Sequence, residues 1–208
     1  GRLLQRTLLG YLTHAIESLP VDPSTIYELV VAGNPTMRDL LFGLDVQGLG
    51  VLPYRSITEA SVEEGRATPT SLWATAKKLR LPLHPAARVH GLPLVGSHVG
   101  ADAAACLLAT GMAERSETCA LLDIGTNTEA FFGNRSRMLA ASCPAGPAFE
   151  GGGVGCGMPA LDGAIERVAL DADGALRVQT VGEATPAGIC GSGLVDLMSE
   201  LRRSGRMN

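Results

Sequence analysis

The chain lacks the patterns that mark several large classes of protein. Aromatic residues make up only 4% of it, and no apolar run reaches the length of a membrane-spanning helix. There is no long basic run and the formal net charge is −4, which argues against nucleic acid or an anionic membrane as the main partner. Neither a P-loop lysine motif nor a GxGxxG fingerprint occurs, and the four scattered histidines (14, 84, 90 and 98) give no spacing from which a Ser–His–Asp triad can be argued. The five cysteines, at 106, 119, 143, 156 and 190, contain no CxxC pair, which argues against a zinc or iron–sulfur site within these residues alone. Their odd number, without a signal-peptide pattern, fits a reducing cytoplasm and small buried thiols.

What is present describes a globular α/β protein. The 208 residues suffice for one large or two small domains, with 46% hydrophobic and 18% charged residues. Glycine is abundant, 26 residues, clustered late in the chain between Gly125 and Gly193, where backbone must approach itself or a ligand closely. The chain opens on Gly1 and enters directly on a helical pattern, so the expectation is an excised part of something longer.

Apolar residues at helical spacing predict an amphipathic helix over about 4–19, ended by Pro20. Ile26–Ala32 reads as a buried strand, followed by the turn Asn34-Pro35-Thr36 and a short helix over Met37–Phe42, half of an α/β unit. Residues 44–70 read as irregular, Ala74–Leu79 as helical and Leu92–Val95 as a strand. Val99–Met112 is a helix whose first turn carries Asp102, a carboxylate that complements the helix dipole. Strands are expected at Cys119–Ile124, Ala130–Phe132 and Arg137–Ser142. A helix is expected to begin within Gly163–Val168, followed by a hairpin over Leu170–Gly182 turning at Asp173-Gly174. Leu194–Leu201 is an amphipathic helix with Ser192 as its N-cap.

The sharpest chemical feature is Asp123-Ile-Gly125-Thr126-Asn127-Thr128-Glu129. A strand delivers the Asp123 carboxylate to its end, where it can hold Mg²⁺ directly or through water. Gly125 lets the backbone turn its N–H groups toward an anion, and Thr126, Asn127 and Thr128 add side-chain donors. Glu129 could orient water or help hold the metal. The same spacing also fits an ordinary hairpin with a polar turn. Gly191-Ser192-Gly193 before the last helix suits either a nucleotide site or a helix start packed tightly on a sheet. In the loop-rich stretch from Ser142 to Gly153, Phe149 is a candidate anchor and Glu150 a candidate contact for metal, water or ribose. Asn34 and Thr36 lie at a strand end, where ligands collect in α/β sheets.

Taken together, VVAGNPTMRDLLFGL, PLVGSHVGADAAACLLATG, LLDIGTNTEAFF, SCPAGPAFEGG and GICGSGL resemble the C-terminal part of the reductive activators of corrinoid proteins. The likeness covers residues about 26–206 in order. That family belongs to the actin-like ATPase superfamily, so the resemblance implies an α/β, ribonuclease-H-like, actin-type ATPase fold. It divides the chain into a strand–turn–helix part, about 1–115, and a second phosphate-loop part, about 116–208. It implies a protein that uses ATP and Mg²⁺ to return cob(II)alamin to cob(I)alamin on a partner corrinoid protein of a methyltransferase system. A [2Fe-2S] cluster is expected only in a ferredoxin-like domain upstream of Gly1, along with the first phosphate loop, and a cytoplasmic homodimer is expected.

Carried over by motif, Asp123, Gly125, Thr126 and Asn127 match the second phosphate loop, Asp123 as metal ligand. Gly191, Ser192 and Gly193 match the small-residue element near the nucleotide, and Gly33, Asn34 and Thr36 match the family's GN-T-M turn. Asp102 and Glu150 fall in matching blocks, Glu150 with a catalytic role alongside Asp123. Thr128 stands where the family has glycine, and Pro35, Arg38 and Cys143-Pro144 also depart from its pattern. With one phosphate loop, these residues are not expected to be an ATPase alone. A small-molecule kinase of the same superfamily and a non-catalytic dimerisation or docking module are the rival readings.

Overall fold

A computed structural model describes residues 1–171 and 173–207. It begins with helix α1, Arg2–Glu17, whose Leu9, Leu12 and Ile16 face the core while Leu3, Leu4 and Tyr11 face outward. Strand β1, Glu28–Val31, and helix α2, Pro35–Leu41, follow, and helix α3 spans Ile57–Glu63. Strand β2, Leu72–Thr75, runs directly into the single helical turn α4, Ala76–Leu79. Strand β3, Arg88–Gly91, and helix α5, Ala101–Thr110, complete this stretch. Next come β4 (Cys119–Ile124), β5 (Asn127–Asn134) and β6 (Arg137–Pro144). The chain ends with β7 (Ala164–Leu170), β8 (Leu176–Thr180), β9 (Gly188–Ile189) and helix α6 (Gly191–Arg203).

The strands form three sheets, ordered β1-β3-β2, β4-β5-β6 and β8-β7-β9. β3 pairs parallel with β1 and antiparallel with β2; β7 pairs antiparallel with β8 and parallel with β9. The chain separates into two compact units. One contains residues 1–121 and 129–142, the other residues 122–128 and the chain from Cys143 onward.

In the first unit, Leu29, Val31, Ala74 and Val89 line one face of the β1-β3-β2 sheet against Ile16, Leu79, Leu81 and Leu83. The opposite face carries Trp73 stacked on His90, ring centroids 3.9 Å apart. A second cluster joins Val99, Ala103 and Met112 to Phe131 of β5.

The first unit also holds a buried ion pair. Arg38 and Asp39 are both fully inaccessible, and Arg38 donates from Nε and Nη2 to Asp39 Oδ1 at 3.0 and 2.7 Å. Its Nη1 donates to the carbonyls of Thr70 and Leu92, and Nη2 also donates to Thr58 Oγ1. Ser56 Oγ donates to Asp39 Oδ2 at 2.5 Å. The guanidinium thus joins α2 to the start of α3 and to two chain segments 32 and 54 residues away.

In the second unit, α6 packs along β7. Its Asp196 and Glu200 carboxylates accept hydrogen bonds from the Val168 and Leu170 N–H groups, which β9, pairing only at Ala164 and Ile165, does not reach. Unpaired strand N–H groups are costly to bury, so these carboxylates complete the edge.

Several sequence expectations are corrected. Residues 44–70 are not irregular throughout: α3 lies there, opened by a capping box in which Ser56 and Glu59 each satisfy the other's backbone N–H. The strand expected at Leu92–Val95 is instead Arg88–Gly91, and Ala74–Leu79 divides between β2 and α4. Gly163–Val168 begins a strand, not a helix; Gly163 has φ +87°, and the N–H of Ala187 donates to its carbonyl. β1 and β4 are not buried on both faces, since Val30 is 54% and Leu122 61% exposed. The hairpin β7–β8 turns as expected, with Gly174 N–H donating to Asp171 O.

Removing Arg38 would leave the Asp39 carboxylate buried without its cation. Arg38→Met is expected to destabilise the protein by about 3–5 kcal/mol, measured by urea unfolding, whereas Arg88→Met at the exposed pair with Glu28 should shift the midpoint little.

Candidate functional site

Strand β4 ends at Ile124 and β5 begins at Asn127, so the loop between them is only Gly125-Thr126. Asn127 and Thr128 therefore open β5 instead of lying in the loop, a correction to the expected loop bounds. Asn127 is exposed, its carbonyl accepting from Gly125 N–H at 3.2 Å, and the Thr128 carbonyl accepts from Cys143 Sγ at 3.6 Å. Asp123 is half-buried, one residue before the end of β4. Gly125 does not occupy the left-handed region. A Cβ there would sit 3.3 Å from Asn127 O, a tight approach, and 3.6 Å from Glu150 Oε1, an ordinary contact, so its smallness relieves the loop's own backbone.

The partner of this loop is Glu150. Its Oε1 accepts two hydrogen bonds from one residue, Thr126 N–H at 2.9 Å and Thr126 Oγ at 2.9 Å. The Thr126 carbonyl in turn accepts from both Ala145 N–H and Gly146 N–H, each at 2.9 Å. The turn Pro147–Glu150 that presents the carboxylate is bracketed by Gly146 and Gly151, both at φ +86°. Side chains there would be strained, and a Cβ on Gly151 would fall 2.5 Å from Met158 N. The Thr126 side-chain hydrogen bond holds the Glu150 carboxyl below the usual glutamate range, against a smaller opposing effect of desolvation.

The same turn touches the start of α6. A Cβ on Gly191 would meet the Phe149 carbonyl at 2.6 Å, and one on Gly193 would meet the Ile165 carbonyl at 2.1 Å. Close packing therefore requires both glycines. The N-cap is Cys190, not Ser192, and no side chain caps the helix. Cys190 is buried with Sγ 3.4 Å from Ser192 Oγ. The unpaired first-turn N–H groups and the positive end of the helix dipole meet at Gly191-Ser192-Gly193.

The remaining sequence candidates lie in the first unit. Asn34 caps α2, its Oδ1 accepting from Met37 N–H at 2.9 Å, and Thr36 is exposed in the first turn. The Gly33 carbonyl accepts from Ala101 and Asp102 N–H groups, which joins this turn to the start of α5. Asp102 Oδ1 accepts from Ala103 N–H within its own helix. Gly100 fits between them, since a Cβ would lie 2.5 Å from Asp102 Oδ1 and 2.7 Å from Asn34 Cα. Glu129 accepts from Ser142 Oγ at 2.8 Å, an ordinary cross-strand tie between β5 and β6. Sequence reasoning missed the Ala145 and Gly146 contacts to Thr126, because backbone donors carry no residue signature.

Among the described residues, no group of three or more His, Cys, Asp or Glu is arranged to hold a metal ion. Mg²⁺ needs no such cage: it keeps several waters and takes one or two carboxylates together with phosphate oxygens. Asp123 suits that mode. The Thr126 N–H and hydroxyl converge on one anionic oxygen, Glu150 Oε1, which is the donor chemistry a phosphate oxygen would use.

Comparison with known proteins gives two family matches. Residues 2–115 match the RACo middle region, and residues 117–208 match the C-terminal domain of RACo, the ASKHA domain. The chain is 34% identical over 203 residues to the corrinoid activation enzyme RamQ of Eubacterium limosum, covering 97% of this chain and 32% of the relative. It is 31% identical over 149 residues to the [Co(II) methylated amine-specific corrinoid protein] reductase of Methanosarcina barkeri, covering 70% of this chain and 27% of that protein. A solved structure of a reductive activator for a corrinoid, iron-sulfur protein superposes with a TM-score of 0.83 at 35% identity, over 100% of this chain and 32% of that one. The chain thus spans about a third of the length of these relatives.

The Glu150–Thr126 contact predicts a titration. Because the folded-state pKa of Glu150 is lowered, its contribution is complete above the unfolded-state value and fades as pH falls through the folded one. Carboxyl-carbon NMR is expected to show Glu150 titrating below the ordinary glutamates, and Thr126→Val to move it back toward them.

Proposed function

Since the chain belongs to the RACo family and has its actin-like ASKHA fold, we propose that it is the nucleotide-binding region of a reductive activator that returns a corrinoid protein from cob(II)alamin to cob(I)alamin. The observation that carries this reading is the double capture of a carboxylate oxygen by Thr126, at the loop where the resemblance puts a phosphate. Two of the relatives are named for corrinoid activation or corrinoid-protein reduction, which supports the reaction class over a small-molecule kinase.

In this reading ATP supplies the driving energy for an otherwise uphill one-electron reduction. Thr126 binds a phosphate oxygen through its N–H and hydroxyl, with Gly125 allowing close approach. Asp123 holds Mg²⁺ directly or through water. Gly191, Ser192 and Gly193 offer the uncapped end of α6 to negative charge. Glu150 orients the hydrolytic water once a phosphate is seated. Asn127 and Thr128, as strand residues, flank the loop and contribute through its register. Asn34 and Thr36, at the capped start of α2, are assigned to nucleotide binding as well. Nucleotide state is converted into a conformational change that alters affinity for the corrinoid partner or its cobalt ligation. A [2Fe-2S] cluster in a ferredoxin-like domain outside these residues would supply the electron, and the working protein is a cytoplasmic homodimer. Among the described residues no helix is long and apolar enough to cross a membrane, and the proposal involves neither membrane nor nucleic acid.

Isothermal titration of the full-length protein with Mg·ATP tests the assignment. Asp123→Ala is expected to weaken binding by about tenfold or more. Equal affinity in both proteins would remove Asp123 from the site.

A further inference from the structure

We infer that Glu150 is a built-in competitor for phosphate: its carboxylate occupies the Thr126 donors in the nucleotide-free protein and must leave before a phosphate oxygen can take them. The inference rests on the nucleotide reading of the loop and adds a regulatory element to it.

Thr126 has one hydrogen on its amide and one on its hydroxyl, and both point to the same Glu150 Oε1 at 2.9 Å. A phosphate oxygen using that position needs those same two hydrogens. The two anions cannot share the site, because both need the same two hydrogens and like charges a few ångströms apart repel.

The competitor is held in place by backbone packing rather than by chance contact of an exposed side chain. On its C-terminal side, Gly151 fits against Met158 and Gly157 with no room for a Cβ, and Gly152 against Pro147 at 2.6 Å. On its N-terminal side, Ala145 and Gly146 donate to the carbonyl of Thr126 itself. One residue thus accepts from the segment through its carbonyl and donates to it through its N–H and O–H. That reciprocal tie fixes the register between loop and carboxylate, which raises the effective concentration of the carboxylate at the donors. Within the segment, Pro147–Glu150 forms a single turn flanked by two left-handed glycines, and a Cβ at Gly146 would meet nothing within 4 Å. Glu150 itself is exposed, so its carboxylate can withdraw into solvent when displaced.

Two consequences separate this role from that of a residue which merely helps to bind the ligand. Removing the carboxylate should tighten phosphate binding instead of weakening it. The gain should also appear with inorganic pyrophosphate, which has neither base nor ribose, because the competition is for phosphate oxygens alone.

The test titrates the full-length protein, wild type and Glu150→Ala, with Mg·ATP and with Mg·pyrophosphate. Glu150→Gln serves as a second variant that keeps the side-chain shape, and thermal unfolding verifies that each variant is folded. Glu150→Ala is expected to bind both probes about tenfold more tightly, with Glu150→Gln in between. A parallel NMR readout in the wild type should show the Glu150 carboxyl returning to ordinary glutamate titration when pyrophosphate is added. Unchanged or weaker binding by folded Glu150→Ala overturns the inference. If Asp123→Ala still weakens Mg·ATP binding in that event, the nucleotide reading survives alone. Binding in none of the proteins overturns both.

Discussion

The second unit depends on one steric constraint, the absence of space for side chains at the start of α6. Gly193 lies against the Ile165 carbonyl and Gly191 against the Phe149 carbonyl. The first approach lets α6 sit close enough on β7 for Asp196 and Glu200 to complete the strand's hydrogen bonding. The second seats the turn ending in Glu150, and so sets where that carboxylate meets Thr126. Cα-level crowding at a helix start thereby reaches the chemistry through two short contacts. A methyl group at Gly193 would have to displace backbone rather than a flexible side-chain end, so relaxation there is expensive.

Two kinds of polar contact serve opposite ends in this chain. Arg38 and Asp39 are sealed from water, with the guanidinium bonded to carboxylate, hydroxyl and two carbonyls. Breaking such a pair strands a charge in low dielectric, so it works as a permanent fastening of α2. Glu150 and Thr126 are both exposed. Water can replace either partner at small net expense, since a hydrogen bond exchanged for water is worth far less than one broken in the interior. An exposed contact of that kind suits a group meant to be exchanged for a ligand.

The sequence revealed the parts whose signal is local. Cys119–Ile124 is a strand with the expected ends, because six consecutive β-compatible residues stop at a glycine. Arg137 opens β6 as expected, and Asp173-Gly174 turns the β7–β8 hairpin. Misreadings fall where tertiary packing overrides pattern. β3 reads Arg-Val-His-Gly, poor in apolar residues, because its outer face carries Trp73's partner His90 and its Gly91 makes room for the Phe42 ring, which a Cβ would approach to 2.7 Å. β7 contains helix-compatible residues and becomes a strand through pairing with β8 and β9. The missed α3 is a different case, since Ser56 and Glu59 stand at capping-box spacing and the signal was there to be used. Asp123, Thr126 and Glu150 stand out in the sequence as candidates. The reciprocal tie between Thr126 and residues 145–146 does not, because main-chain groups look the same in every residue.

The glycines around the site had two readings, nucleotide approach and tight packing, and geometry shows why they are hard to separate. Gly191 and Gly193 are already required by backbone contacts within this chain, so their presence says little about a ligand. At Gly125 a Cβ would crowd the Asn127 carbonyl at 3.3 Å but make only an ordinary contact, 3.6 Å, with the Glu150 carboxylate, so its smallness answers the loop's own backbone first. An anionic oxygen at this loop is therefore marked by the two Thr126 donors more than by any of the glycines. Those donors also set a limit. Thr126 offers two hydrogens, while each phosphate of a bound nucleotide presents several acceptor oxygens and charge besides. Tight binding then needs further positive potential, which Mg²⁺ at Asp123 and the uncapped end of α6 supply in the proposed reading.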